Sequence, residues 1–329
     1  MGNTCSQLFP PKPLLTDKEL PNLGGKVYIV TGSSGGVGKE VAQILYSKNA
    51  TVYIAARSEE KAIAAITSIK TTHPSSKGTL TFLHLDLSDL TSVKNAASIF
   101  LSRENALHIL FNNAAVAMPP AGSKSAQNHE LQLATNCLGH YLFTRLLTPL
   151  LASTAKSSPP NSVRVIWVSS SAAEVMSHNP GGVPLSKLDD LSGNVPVWRL
   201  YGISKAGGYL YATEYAHRHS ASDGIVSVSL NPGNLDSDLG RHVPKAINWV
   251  FKQFFLHPSV MGAYTELFAG FSESVTVESV EGGKWIIPWG RMGTTRKDLV
   301  LASKTEREGG SGVAGKFWEW SEERVGEFV

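Results

Sequence analysis

The chain has 329 residues, of which 42% are hydrophobic, and a formal net charge of +3 at pH 7. This length and apolar fraction are typical of one large globular domain with a sizeable core. The basic residues are scattered, so we expect no nucleic-acid partner. No stretch is long and apolar enough to span a bilayer. The ten histidines lack ligand spacing, so no metal site is predicted.

The first residues allow two interpretations. Met1-Gly2-Asn3-Thr4-Cys5-Ser6 fits the N-myristoylation pattern, and Cys5 could take a second acyl chain. We favour the alternative, an extended N-terminal strap over residues 1–23, because one acyl chain would give only weak peripheral membrane contact. The second cysteine, Cys137, is far from Cys5, so no disulfide framework is expected. This cysteine usage fits a reducing, cytoplasmic location.

From Lys26 onward, strand-like and helix-like segments alternate. Continuous apolar strands that alternate with helices indicate a parallel sheet covered on both faces. We therefore predict an α/β fold, a single doubly wound Rossmann domain over 24–290 with a seven-stranded parallel sheet. Residues 291–329 are expected to be a C-terminal helical extension of the same domain. The seven apolar runs are 27–30, 52–55, 80–85, 107–111, 163–168, 225–230 and 285–287.

A glycine-rich turn follows the first apolar run. The sequence Thr31-Gly32-Ser33-Ser34-Gly35-Gly36-Val37-Gly38 lies between a predicted strand and a segment with helical periodicity. That context is the one a dinucleotide fingerprint requires. Glycines let the backbone approach a pyrophosphate, and the helix N-terminus offers N–H donors. We expect this turn to bind a nicotinamide dinucleotide through Gly32, Ser34, Gly36, Val37 and Gly38.

Polar residues follow the later strands, at the sheet edge where such folds bind ligands. Arg57 follows the second strand, where no acidic residue is present to hold a ribose, and Lys61 comes one turn later. These two cations favour the 2′-phosphate of NADP(H) over NAD. Asp86, after the third strand, could accept a hydrogen bond from the adenine amino group. Asn113 follows the fourth strand and Asn231-Pro232-Gly233 the sixth.

Tyr201-Gly202-Ile203-Ser204-Lys205 has a Tyr-x-x-x-Lys spacing that places phenol and ammonium on one helix face. A free tyrosine titrates near ~10. A neighbouring positive charge favours the phenolate, so we expect Lys205 to lower the pKa of Tyr201 toward values suited to acid–base catalysis. A Tyr-x-x-x-Lys spacing is common by chance on helices. It indicates a catalytic site here only because the same chain also has the glycine-rich turn.

Together, in this order, these motifs resemble the short-chain dehydrogenase/reductase family across nearly the whole chain. The resemblance rests on Thr-Gly-x-x-x-Gly-x-Gly, Asn-Asn-Ala, a strand-end serine, Tyr-x-x-x-Lys and a Pro-Gly turn. Within the family, the chain is most similar to the retinol-dehydrogenase-like branch and to filamentous-fungal members, some of which act in natural-product pathways. Members often pair through their long helices, so a homo-oligomer is one option here.

The resemblance implies roles for individual residues. Tyr201 would protonate the carbonyl oxygen or act as base in reverse, and Lys205 would also hold the nicotinamide ribose. Ser170 would bind the substrate oxygen, a role consistent with preorganised donors. The remaining assignments are Asn136 in a proton relay, and Leu235 and Ser237 near the nicotinamide.

Two departures from the family pattern bear on the site. The family's Asn-Asn-Ala-Gly reads Asn-Asn-Ala-Ala, so Ala115 adds a methyl group beside the cofactor, which we expect to be tolerated. The interval between Ser170 and Tyr201 is longer than in many family members. The choice of Ser170 among the three serines at 169–171 therefore depends on how the chain is aligned with the family.

A helical stripe after Ser237 predicts an apolar substrate pocket or a membrane contact, with core packing as the alternative. Its residues are Ile247, Val250, Phe251, Phe254 and Phe255. We therefore predict an NADP(H)-dependent oxidoreductase that interconverts a carbonyl and an alcohol on a hydrophobic small molecule, in secondary metabolism. The alternatives are a catalytically silent NADP(H)-binding regulatory or scaffold protein, and a variant that acts on an enzyme-bound intermediate.

Overall fold

The computed structural model describes residues 6–191, 195–236 and 256–329. Several predictions fall outside these ranges. They concern Ser237, the apolar stripe at 247–255, and acylation at Gly2 and Cys5. Within the described residues, no helix combines the length and apolar character that crossing a membrane requires.

Among the described residues the strands form one sheet in the order β3-β2-β1-β4-β5-β6-β7-β8. The first seven strands run parallel, and their runs of buried residues reflect a sheet covered on both faces. The chain reverses strand order between β1 and β4, which creates the crevice where doubly wound folds bind ligands. The strands are β1 Val27–Thr31, β2 Thr51–Ala56, β3 Thr79–His84, β4 Ile109–Asn112, β5 Arg164–Val168, β6 Val226–Leu230, β7 Lys284–Ile287 and β8 Arg291–Thr294.

Helices connect the strands and cover the sheet. They are α1 Gly36–Ser47, α2 Glu59–Thr72, α3 Leu90–Leu101, α4 Gly139–Lys156, α5 Ala172–Val175, α6 Val197–Asp223, α7 Ser259–Phe271, α8 Lys297–Ala302 and α9 Val313–Val325. One turn at Leu131–Leu133 and a π-helical segment at Ala134–Leu138 lead into α4. Short 3₁₀ segments occur at Leu185–Asp190, Glu278–Gly283, Glu306–Glu308 and Gly326–Phe328.

Two apolar clusters form the core, one on each face of the sheet. Residues of α3, α4, α6 and α9 pack on one face, with Leu142 and Phe317 fully buried. Residues of α1, α2 and α7 pack on the other, where Leu45 and Leu267 are fully buried. Burial of a side chain of this kind contributes roughly 1.5–3 kcal/mol. The two layers hold the carboxyl ends of the strands in a fixed arrangement.

The α/β Rossmann fold is confirmed, but the strand count and the all-parallel sheet need correction. The sheet has eight strands among the described residues, and β8 pairs antiparallel to β7. The prediction missed β8 because Arg291-Met292-Gly293-Thr294 has no continuous apolar run. Such a run is not required at a sheet edge, where β8 is partly exposed along its length. The strand also begins the segment predicted to be a helical extension.

Candidate active site

The glycine turn after β1 is shaped for close approach to its backbone. Gly32 and Gly36 have φ of +69° and +55°, in the left-handed region that favours glycine. A Cβ on Gly38 would lie 2.5 Å from Asn113 Nδ2, and one on Gly32 would lie 2.8 Å from Ala114 Cα. No side chain of the described residues caps α1 at Gly35. Glycine at 32 and 38 therefore lets the turn pack directly against the chain after β4, and the first-turn N–H groups of α1 have no side-chain cap from the described residues.

The ends of β1 and β4 are joined by a polar cluster around Thr31. Asn113 Nδ2 donates to Thr31 O over 2.7 Å, and the backbone N–H groups of Asn113 and Ala114 donate to Thr31 Oγ1 over 2.9 Å each. The side chain of Asn113 is thus committed to the protein framework. It sets the width of the crevice beside the glycine turn, with Ser34 and Val37 half-buried on the opposite side.

Arg57 and Lys61 lie where β2 gives way to α2. Both side chains are exposed, and neither forms an ion pair with another described residue. Ser58 caps α2 by accepting from the Lys61 N–H, so the two cations stand at a helix N-terminus. A phosphate would gain charge-assisted hydrogen bonds there.

Asp86 is fixed in the turn after β3. Ser88 donates to Asp86 Oδ1 through its N–H over 3.0 Å and through its hydroxyl over 2.6 Å. The Asp86 N–H donates to Ser92 Oγ over 3.0 Å. One carboxylate oxygen is therefore used in holding the turn, and the adenine contact for Asp86 stays a prediction.

Ser170, Tyr201 and Lys205 come together at the ends of β5 and the start of α6. The Ser170 hydroxyl lies close enough to the Tyr201 phenol to favour its phenolate form. Lys205 Nζ lies 5.8 Å from the centre of the Tyr201 ring and donates to Val168 O over 2.8 Å. Lys205 is 4% exposed. The serine, phenol and ammonium expected at one site are thus neighbours.

The pKa of Tyr201 differs from expectation. Burial raises the pKa of Tyr201 to about 12, and the neighbouring Ser170 hydroxyl opposes that rise. The Tyr-x-x-x-Lys spacing predicted a lowered pKa instead. The direction is reversed because desolvation of the phenolate is the largest effect on this buried phenol. Burial also lowers the pKa of Lys205 to about 8, while Cys137 and Glu266 oppose that change.

Asn136 lies in the π-helical segment before α4, where it links three parts of the site. Its Oδ1 accepts from the Val116 N–H, and its Nδ2 donates to Val116 O and to Ser204 Oγ, each over 2.9 Å. Ser204 Oγ donates in turn to Tyr201 O over 2.8 Å. Asn136 therefore ties the chain beyond β4 to the helix that carries Tyr201.

Leu235 follows the Asn231-Pro232-Gly233 turn after β6 and forms an isolated bridge with His257. It lies against α7, since a Cβ on Gly262 would contact Leu235 and would lie 3.2 Å from a methyl of Val37. Leu235 and the glycine turn are thus close together, as the predicted nicotinamide contact requires.

Apolar side chains are exposed beside Tyr201. Val175 is 66% exposed and Trp198, one helical turn before Tyr201, is 47% exposed. Helix α5 packs on this part of α6, because a Cβ on Gly202 would contact Met176. A cavity of about 490 Å³ is lined by Arg199 and Ile203, which helical spacing puts on another face of α6 from Tyr201. The exposed apolar surface next to Tyr201 is therefore formed by Val175 and Trp198.

Sequence analysis missed three residues that shape the site. Arg296 Nη1 donates to Glu174 O over 2.8 Å and Nη2 to His178 O over 2.7 Å, which fixes the turn after Ser170. His140 Nε2 lies 3.0 Å from Thr31 Oγ1. Glu266 is fully buried on α7. Only Glu266 had a sequence signal, a lone charge in the apolar segment Ser259–Phe271.

Comparison with known proteins agrees with this geometry. The sequence model of the family described as short chain dehydrogenase matches residues 26–182. A short-chain dehydrogenase/reductase of Phomopsis amygdali is 50% identical over 330 residues, with 100% of this chain and 98% of the relative covered. The short-chain dehydrogenase/reductase pkfC of Emericella nidulans is 42% identical, with 96% of this chain and 98% of the relative covered.

Solved structures share the fold. The crystal structure of an uncharacterized protein from Mycobacterium Paratuberculosis has a TM-score of 0.67 at 25% identity, covering 94% of this chain and 97% of that chain. The Pseudomonas aeruginosa RhlG/NADP active-site complex has a TM-score of 0.61 at 23% identity, covering 78% of this chain and 94% of that chain. With half of its residues shared with a full-length relative, the chain belongs to the short-chain dehydrogenase/reductase family, and its relatives include members from filamentous fungi.

Proposed function

We propose that the chain is an NADP(H)-dependent oxidoreductase that interconverts a carbonyl and an alcohol on a hydrophobic small molecule. The observation that carries the proposal is the proximity of Ser170 to the Tyr201 phenol, with the Lys205 ammonium 5.8 Å from the centre of the ring. Tyr201 can donate a proton to the carbonyl oxygen of a substrate, and Ser170 can donate a hydrogen bond to that oxygen. Lys205 supplies a fixed positive charge.

The glycine turn fits the cofactor, because it joins β1 to the N-terminus of α1, and that N-terminus has no side-chain cap at Gly35 from the described residues. NADPH, when bound, supplies the hydride that is added to the carbonyl carbon. Tyr201 gives its phenolic proton to the carbonyl oxygen, while the Ser170 hydroxyl donates a hydrogen bond to that oxygen. The Lys205 ammonium then stabilises the phenolate that remains.

NADP(H) rather than NAD is supported by Arg57 and Lys61, which are exposed and unpaired with other described residues beside the end of β2. A hydrophobic substrate is supported by the exposed side chains of Val175 and Trp198. Relatives named bet4 and pkfC, from Neocamarosporium betae and Emericella nidulans, support a place in fungal secondary metabolism. We also propose a cytoplasmic location with at most weak membrane contact through the N-terminus.

A catalytically silent NADP(H)-binding regulatory or scaffold protein is the second candidate. The pKa of Tyr201, raised by burial to about 12, favours it, because such a phenol is a weak acid at neutral pH. The intact set of Ser170, Tyr201 and Lys205 favours the enzyme.

The test follows NADPH absorbance with a panel of lipophilic ketones and aldehydes. Turnover should fall by about 10²–10⁴-fold in Tyr201→Phe, the range of general acid–base catalysis. Tyr264→Phe, which removes a phenol bonded to Asp17 on the outer side of α7, should keep wild-type turnover. Wild-type protein that binds NADPH but reduces no member of the panel would support the silent protein instead.

A further inference from the structure

Glu266 is a buried acid for which the proposed reaction has so far no use. Glu266 is 0% exposed to solvent, and neither of its carboxyl oxygens has a hydrogen-bond partner among the described residues. The rest of α7 is apolar or uncharged, with the sequence Ser-Val-Met-Gly-Ala-Tyr-Thr-Glu-Leu-Phe-Ala-Gly-Phe. An uncompensated buried carboxylate is strongly destabilising. Its presence therefore calls for a specific interaction.

The packing of α7 on the sheet places Glu266 beneath the active site. Near the end of α7, Arg164 at the start of β5 donates to Ala269 O over 2.8 Å and to Ser272 O over 3.0 Å. Toward the start of α7, Gly262 lies against Val37 of the glycine turn. Helix and strand thus run in opposite directions, and Glu266 lies between these two contacts.

The alternation of side chains along β5 shows which of its residues face α7, and so where Glu266 lies relative to the strand. Arg164, Ile166 and Val168 share one face of the strand, and the last two belong to or pack against the same core cluster as α7. Glu266 therefore lies level with the second half of β5. Val168 O is the atom to which Lys205 Nζ donates over 2.8 Å. The carboxylate and the ammonium approach the same strand end, one from each side of the sheet.

The two buried charges interact. Burial raises the pKa of Glu266 to about 8, and the Lys205 ammonium opposes that rise. Burial lowers the pKa of Lys205 to about 8, and the Cys137 thiol and Glu266 oppose that fall. Each group thus favours the charged form of the other, as opposite charges do in a low-dielectric interior.

No other described residue offers Glu266 an equivalent partner. The Arg164 guanidinium on β5 is bound to carbonyl groups of Asn161, Ala269 and Ser272. Glu40, on the packed helix α1, acts electrostatically on Tyr264 rather than on Glu266. The interaction of Glu266 is therefore directed at Lys205.

We propose that Glu266 is a positioning residue which, once ionised at alkaline pH, stabilises the Lys205 ammonium and so keeps it available to the nicotinamide ribose. This inference rests on the proposed function, in which the Lys205 ammonium holds the cofactor. Glu266 makes no hydrogen bond with the described residues. A structural role through hydrogen bonding is therefore not seen for this side chain among them.

The test measures the NADPH dissociation constant as a function of pH, from the change in nicotinamide fluorescence on binding. Glu266→Gln has almost the same shape but no charge. Removal of the carboxylate lowers the pKa of Lys205, so we expect the loss of affinity on the alkaline side to begin about one pH unit lower than in wild type. Glu273→Gln, an exposed acid just beyond α7, should leave the profile unchanged.

A second measurement separates this role from a structural one. The pKa of Glu266 rises from its ordinary 4.5 to about 8 on folding, so its contribution to stability is complete below the first value and is lost as pH rises toward the second. The free energy of unfolding should fall with pH over this window less steeply in Glu266→Gln than in wild type.

The outcomes are distinct. A flatter stability profile with an unchanged binding profile would make Glu266 a buried acid without influence on Lys205, and would overturn the inference. Unchanged profiles in both measurements would overturn it as well. Wild-type protein that does not bind NADPH at any pH would instead defeat the proposed function itself.

Discussion

The Nδ2 group of Asn136 donates to Ser204 Oγ over 2.9 Å, and this bond joins the π-helical segment Ala134–Leu138 to α6. Ser204 lies between Tyr201 and Lys205 in the sequence, so the bond restrains the helix turn that carries both. Asn136 also pairs with both backbone groups of Val116. One amide thus sets the distance between the chain after β4 and the proposed proton donor.

Asn136→Ala should lower the free energy of unfolding by about 2–4 kcal/mol, because three hydrogen bonds are lost and the backbone N–H and C=O of Val116 lose their partner. Denaturant unfolding of the apoprotein measures the change. Asn95→Ala, an exposed site on α3, should change stability by less than about 0.5 kcal/mol. Equal effects at the two positions would contradict the linking role of Asn136.

Arg57→Ala should weaken NADPH binding by about tenfold or more while NADH binding changes little. A hydrogen bond to a charged group contributes about 1.5–3 kcal/mol, and only NADPH has the 2′-phosphate. The ratio of dissociation constants for the two cofactors measures this preference. Lys70→Ala removes a cation from the last turn of the same helix and should leave the ratio unchanged. A loss of affinity shared equally by both cofactors would argue against a phosphate contact.

Gly38→Ala should reduce cofactor affinity, because the new methyl group would lie 2.5 Å from Asn113 Nδ2 and 3.1 Å from Gly32 O. Gly208→Ala is the matched variant in the interior of α6, where an added Cβ meets nothing within 4 Å. There alanine should raise stability by about 0.5–1 kcal/mol. Calorimetric titration with NADPH and thermal unfolding of both variants provide the comparison. If Gly38→Ala binds like wild type, the packing of the glycine turn against Asn113 does not control cofactor affinity.

The pKa of Lys205 predicts opposite pH dependences for function and stability. Its pKa falls from an ordinary 10.5 to about 8 on folding, so the unfolded chain binds more protons between these values. The contribution of this group to the free energy of unfolding therefore rises as pH increases through that window. NADPH-dependent turnover should decrease above pH 8, because the deprotonated amine no longer stabilises the phenolate.

Lys205→Met should remove both dependences and should abolish turnover. Unfolding curves and initial rates over pH 6–10 measure the two effects. A wild-type rate that stays constant above pH 8 would show that the ammonium is not needed.

Local patterns accounted for the fold and for most of the site. The buried strand Val27–Thr31, the glycines that follow it and the four-residue interval from Tyr201 to Lys205 are readable because each depends on neighbours in sequence. The convergence of Ser170 with Tyr201 and Lys205 was expected from the family resemblance, since Tyr201 and Lys205 lie on a helix and only Ser170 follows a strand. The roles assigned to these residues stay predictions.

Properties that depend on burial and distant contacts were not predictable. The direction of the pKa change at Tyr201 reversed, because desolvation depends on the complete packing around the phenol. The contact of Arg296 with Glu174 O and His178 O joins segments that no local pattern relates. Strand β8 was missed because a partly exposed edge strand needs little apolar character.

The bonds from Arg296 have a consequence for how the protein is made. The turn after Ser170 is held by hydrogen bonds from Arg296. During translation, Arg296 is synthesised long after the residues of the predicted dinucleotide crevice. A nascent or proteolytically shortened chain that stops before this arginine would contain every proposed catalytic residue. It would lack the hydrogen bonds that fix the turn after Ser170.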